Sequence, residues 1–242
     1  MSKMKIINIT IAFLLFSASQ VSAYFDNYPP YRFKTGAPRH IEAKLLVGFD
    51  KTKYRSPNGK VIVRLKESAN DFEFLLKDGK FILAHIKDDK PPLPSSVYEA
   101  DLDKNGTRDF IVFYNYRGSG FASQKDRVNI FLKKKDGAYQ KISYDTFSAG
   151  IEDFVDLDRN GRCQIIITWL YNGDKHNYFS YDLYQLKDYR LVNLDNVFRG
   201  FPKFVWITHK KNDKDTTHLN LDERAEHIRA KDSSIEYEEI MN

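Results

Sequence analysis

The chain has a single cysteine, Cys163, in 242 residues. No internal disulfide can form, so the fold must rest on apolar burial, bound metal or both. Cys163 also has no histidine or other base close to it in sequence, and reads as a small, half-buried residue rather than a reactive thiol. Apolar runs of the ~20 residues that a membrane-spanning helix needs are absent. Compact basic blocks are absent too: Lys and Arg total 38 against 33 Asp and Glu, with the signs interleaved. Nucleic-acid binders gather such charge into a stripe. No nucleic-acid partner is expected, and the one dense stretch, FLKKKDG at 131–137, reads as a charged hairpin tip.

Local catalytic signatures are missing as well. The six histidines (His40, His85, His176, His209, His218 and His227) include no pair at i, i+4 and no HExxH motif. Ser119 in RGSGFAS lacks the strand–elbow–helix context of a nucleophile loop. The expectation is therefore a protein without an active site. The alternative is a secreted or periplasmic hydrolase acting on glycans or peptidoglycan, whose paired carboxylates would come from distant positions.

What is present begins at the N-terminus. Lys3 and Lys5 precede the apolar stretch IINITIAFLLF (6–16), and SASQVSA supplies small residues before Tyr24. This is the pattern of a secretory signal peptide over residues 1–23. It implies export to the periplasm or the extracellular space, with no transmembrane anchor after cleavage. Removing the first 23 of 242 residues leaves 219 and lowers the formal charge from +5 to +3, because Lys3 and Lys5 leave with it. That length suits one domain with a sizeable core.

Residues 24–44 form a Pro- and aromatic-rich, extended lead-in. From 45 onward, 15 Tyr, 18 Phe and many Val and Ile in alternating runs favour strands. KVIVRLKE (60–67), FEFLL (72–76) and KFILAHI (80–86) are strands, the last two joined at Asp78-Gly79, a dipeptide suited to a tight hairpin turn. KDDKPPLPSS (87–96) reads as a loop, since prolines are excluded from central ladders. Two units then repeat the order loop, strand, Gly turn, strand, charged turn, strand, near 97–150 and 152–205, with Gly118 matching Gly173 at an offset of 55. A third unit is expected upstream. NLDERAEHIRAK (220–231) predicts a helix, with Asn220 as N-cap and Glu223 completing a capping box. SSIEYEEIM (233–241) reads as an amphipathic strand or a tail.

Each repeat opens on an acidic loop, DLDKNGTRDFIVFY (101–114) and DLDRNGRCQIIITW (156–169). Asp at positions 1 and 3, Asn at 5 and Gly at 6 can wrap oxygens around one cation, and position 7 offers its carbonyl. The first loop supplies Asp101, Asp103, Asn105, Thr107 and, at position 9, Asp109. An EF-hand would need a glutamate at position 12 between helices, but Val112 and Ile167 stand there inside strands. The same residues also make metal-free Asx turns. The loops resemble those of the FG-GAP and VCBS repeats of integrin-type β-propellers and many exported bacterial proteins. That resemblance implies calcium between neighbouring strands of a blade. It carries Asp101, Asp103, Asn105, Thr107 (through its carbonyl) and Asp109 as ligands in the first loop, and Asp156, Asp158, Asn160 and Arg162 (carbonyl) in the second. Position 9 of the second loop is Gln164, and Arg159 and Arg162 add positive charge, so calcium binding should be weaker there.

The expected fold is mainly β, with propeller-like repeated antiparallel β-meanders and one C-terminal helix. The expected function is that of an exported calcium-binding module that engages a protein or carbohydrate partner. The Tyr- and Asn-rich stretches YNYRGSGF and LYNGDKHNYFSYDLY around the glycine turns, with His176 among them, either pack their aromatics between sheets or form its candidate contact surface.

Overall fold

A computed structural model describes residues 39–48, 53–59, 61–67, 72–78, 80–85, 93–115, 125–147, 149–172, 177–195, 197–198, 201, 203–206 and 234–240. The segment read as a signal peptide, the glycine turns at 118 and 173, Ser119, His176 and the helix predicted over 220–231 lie outside them. The described chain is mainly β and every sheet in it is antiparallel.

The strands fall into three groups along the chain. The first holds β1 (Arg39–His40), β2 (Lys44–Val47), β3 (Lys53–Arg55), β4 (Val61–Glu67), β5 (Phe72–Asp78) and β6 (Lys80–His85). The second holds β7 (Leu93–Ala100), β8 (Asp109–Asn115), β9 (Lys125–Lys133) and β10 (Tyr139–Phe147). A single 3-10 turn at Ile151–Asp153 leads to β11 (Phe154–Asp156), β12 (Gln164–Asn172), β13 (Asn177–Lys187), β14 (Arg190–Asn193) and β15 (Lys203–Trp206); β16 (Glu236–Ile240) follows.

Three consecutive meanders result: β3-β4-β5-β6, β7-β8-β9-β10 and β11-β12-β13-β14. Short strands from elsewhere extend the last two. In the middle sheet β2 pairs with β7 and β16 pairs with β10, while β1 and β15 join the third sheet through β11 and β13. The acidic loops occupy equivalent places, joining β7 to β8 and β11 to β12. No closed barrel or propeller ring forms among the described residues.

Period-2 alternation decides how the sheets stack. On β8, Ile111 and Phe113 enter one core cluster and Phe110, Val112 and Tyr114 enter another. The first cluster joins the middle sheet to the third, through Val128, Ile130 and Ile142 on one side and Phe154, Ile165 and Ile167 on the other. The second joins the middle sheet to the first through Tyr54, Val61 and Val63. With both faces covered, the middle sheet needs continuous apolar strands, which is why IVFY runs unbroken. The third sheet's outer face packs Ile166, Tyr181 and Leu183 under Phe201. Thr146 Oγ1 on β10 donates to the Thr168 carbonyl on β12 at 3.0 Å and accepts from Thr168 N at 2.9 Å, stitching middle sheet to third.

Two local readings are corrected. Pro94, expected in a loop, lies in β7, at a register irregularity between Pro94 and Ser96. A bulge relieves the ladder hydrogen bond that proline cannot donate. The end of the lead-in is also part of the sheets: His40 pairs with Val155, and Ile41 N donates to the Phe154 carbonyl at 3.3 Å. The described C-terminal element is the strand β16, which extends the middle sheet.

Candidate metal centre

The first acidic loop folds around its own carboxylates. Lys104 and Gly106 take left-handed backbone conformations (φ 59° and 79°), which curl the chain over the side chains of Asp101 and Asp103. Asn105 N donates to Asp101 Oδ1 at 3.0 Å and Gly106 N to Asp101 Oδ2 at 3.0 Å. Asn105 Nδ2 donates to Asp103 Oδ2 at 2.9 Å and to the Lys133 carbonyl at 3.1 Å. Asn105 Oδ1 accepts from Thr107 N at 2.7 Å and from the Thr107 hydroxyl.

Asp109 closes the loop. Its side chain is fully buried at the start of β8. Oδ2 accepts from Leu102 N at 2.8 Å and Oδ1 from Lys133 N at 2.9 Å. One carboxylate thus ties the loop's beginning to the end of β9. Asp101, Asp103 and Asp109 each bring one oxygen into a group that lies within 4.8 Å of one another. Three negative charges at that separation need a cation or a proton. Burial pushes the Asp109 carboxyl up to about 7, Asp103 and Asp101 push the same way, and the Lys133 and Leu102 amides oppose them. Burial also raises Asp103, helped by Asp101 and opposed by its bonds from Asn105. This donor set is all oxygen and suits a hard divalent ion such as calcium. Asp101, Asp103, Asn105 and Asp109 would hold it, neutralising the loop and fixing it to β9.

A pH dependence follows. The folded carboxyl of Asp109 titrates near 7, against ~4 when unfolded. Below ~4 its contribution to stability is fully present, and it is lost as pH rises through about 7. Denaturant unfolding in EDTA is therefore expected to show a less stable protein at pH 8 than at pH 5, by no more than about 4 kcal/mol from this group. Saturating calcium should shrink the difference, because an ion favours the ionised form. Equal stability at the two pH values in EDTA would contradict it.

The second loop keeps the same backbone path, with Arg159 at φ 55° and Gly161 at φ 82°. Gly161 N donates to Asp156 Oδ2 at 2.9 Å, Asn160 Nδ2 to Asp158 Oδ2 at 2.6 Å, and Arg162 N to Asn160 Oδ1 at 2.8 Å. Asp156, Asp158 and Asn160 are thus arranged as their counterparts are, yet only two carboxylates meet there, and Gln164 takes the place of Asp109. The loops are neighbours: Lys104 Cε lies 3.8 Å from where a Cβ on Gly161 would sit. Cys163, between the second loop and β12, is buried, and burial together with the Asp156 and Asp109 charges holds its thiol far above the ordinary range. It is fully buried, where a half-buried position was expected.

Beside the first loop runs an open groove of about 630 Å³, lined by Ala43, Lys44, Glu99, Asp101, Thr107 and Arg108 among others. Glu99 Oε1 lies 3.4 Å from Arg108 Nε, and Lys44 Nζ donates to the Tyr54 hydroxyl at 3.1 Å. Asp101 and Thr107 were read as metal-site residues, but Lys44, Tyr54, Glu99 and Arg108 were not legible as site residues, since the sheet brings them together from separate strands and a loop. Among the described residues no helix is long and apolar enough to cross a membrane. No family model, curated protein or solved structure matches the chain.

Proposed function

We propose that the protein is an exported, calcium-binding β-repeat module that acts by binding a partner rather than by catalysis. The observation that carries the reading is the convergence of Asp101, Asp103 and Asp109 within 4.8 Å at the point where the first loop is tied to β9. An ion at that point would act as a clamp: it would neutralise the loop and hold β8 and β9 in register. The three stacked meanders then serve as blades of a propeller-like array, with the two acidic loops side by side. Lys44, Glu99 and Arg108, beside the clamp, give the groove both charge signs, which suits a polar protein or carbohydrate surface. The export reading rests on the Lys3–Ala23 pattern, and extracellular calcium is abundant enough to fill even a modest site.

Thermal unfolding tests the metal. With calcium at 100 times its Kd, binding contributes about 2.7 kcal/mol, which for a domain of this size raises Tm by roughly 5–10 °C over EDTA. Magnesium, which requires a tighter octahedral site, should do less. An identical Tm in EDTA and in calcium would remove the basis of the proposal.

A further inference from the structure

We propose that the second acidic loop is a cation-independent copy of the first, in which the Gln164 carboxamide stands where the first loop uses an ion; the chain then holds one divalent cation and a second, latent site one substitution away. The inference rests on the calcium reading for its count of one, but its claim about the second loop stands on separate contacts.

The two loops share four of their hydrogen bonds. Leu102 N donates to Asp109 Oδ2 at 2.8 Å, and Leu157 N donates to Gln164 Oε1 at 2.8 Å. Gly106 and Gly161 donate to Asp101 and Asp156, Asn105 and Asn160 to Asp103 and Asp158, and residue 7 to the Asn carbonyl in both. The difference lies at position 9. Asp109 brings a third carboxylate, whose remaining oxygen accepts from Lys133 N. Gln164, buried like Asp109, instead points a donor inward: its Nε2 is 3.4 Å from Asp158 Oδ1. An amide in place of a carboxylate removes one negative charge and supplies an N–H to the charge that remains, which is the role an ion would play. The Asp156 Oδ1 atom is buried with no hydrogen-bond partner, whereas its counterpart Asp101 Oδ1 accepts from Asn105 N at 3.0 Å. It is a carboxylate oxygen still available to a cation once position 9 becomes acidic.

The test is a calcium count by equilibrium dialysis on the wild type and Gln164→Asp, at equal free calcium. One ion on the wild type and two on the variant is the expected result. Two on the wild type, or no gain on the variant, overturns the proposal. None on the wild type and one on the variant would leave the second-loop assignment standing and remove the first-loop reading, so the two failures are distinguishable. If Gln164→Asp does not fold, Gln164→Ala provides the readout. Its loss of Tm should be the same in EDTA and in calcium, and a loss that depends on calcium overturns the proposal.

Discussion

Asp109→Ala is expected to lose calcium binding and to destabilise the protein even in EDTA, by roughly 2–5 kcal/mol. The second effect separates this residue from the rest of its loop. Its carboxylate is fully buried and satisfies two backbone amides, Leu102 N and Lys133 N, which alanine would leave without their acceptor, whereas the amides that Asp101 accepts from, Asn105 N and Gly106 N, lie in the more exposed part of the loop. An unsatisfied buried donor costs ~1–3 kcal/mol. Asp109→Asn keeps one acceptor oxygen and should lie between wild type and alanine both in EDTA and in its calcium affinity, since an amide oxygen ligates calcium without the charge. Asp101→Ala touches a half-buried, solvent-facing part of the loop, and its loss should appear chiefly in calcium. Urea denaturation of the three variants with and without calcium makes the comparison. A loss below ~1 kcal/mol for Asp109→Ala in EDTA would show that the clamp is not intrinsic to the folded chain.

Phe154→Ala should cost about 3–5 kcal/mol, the usual range for removing a buried phenylalanine. Phe154 is fully buried at the start of β11 and packs edge-on against Phe113 of β8 with ring centroids 6.1 Å apart. Phe113 in turn meets Tyr98 of β7 edge-on at 5.7 Å. These rings span the interface between the middle and third sheets, and no disulfide backs them up. Truncation opens a cavity between two rigid layers that cannot close on it independently. A lowered urea midpoint with an unchanged m-value is the expected signature. A cost under ~1.5 kcal/mol would mean that the sheets can approach to fill the space.

How much of this could be read from the residues varies with the range of the interaction. Asp-Gly and Lys-Asp-Gly between alternating runs marked the hairpins, because turn chemistry is local. Asp, Asn and Gly at fixed spacing marked both acidic loops, because the backbone amides bound by Asp101, Asp103 and Asn105, and by Asp156, Asp158 and Asn160, lie within five residues. The stacking order was not legible: Ile111 and Val112 look alike in sequence, and only the tertiary structure sends them to opposite cores. Nor was the groove, whose Lys44, Glu99 and Arg108 are adjacent only after β2 and β8 flank β7. Gln164 was legible as a departure from the pattern, but its donor role depends on where Asp158 ends up. The β13–β14 turn also hid its type, since Asp188 and Tyr189 adopt positive φ (50° and 60°) without a glycine.

The middle sheet gathers its edges from far apart. Its meander spans Leu93–Phe147, yet one flank comes from Lys44–Val47 and the other from Glu236–Ile240. The late strand is held by Lys134 to Glu239 at 2.7 Å and Lys141 to Glu238 at 2.8 Å. It also crosses to the third sheet, where the Tyr237 hydroxyl accepts from Leu191 N at 3.2 Å. A chain released N-terminus first therefore holds its central layer with one open edge until β16 arrives. Closing that edge joins partners about a hundred residues apart, a slow kind of contact to form. In the central layer, the edge that β16 closes is thus the one whose partners stand farthest apart in sequence.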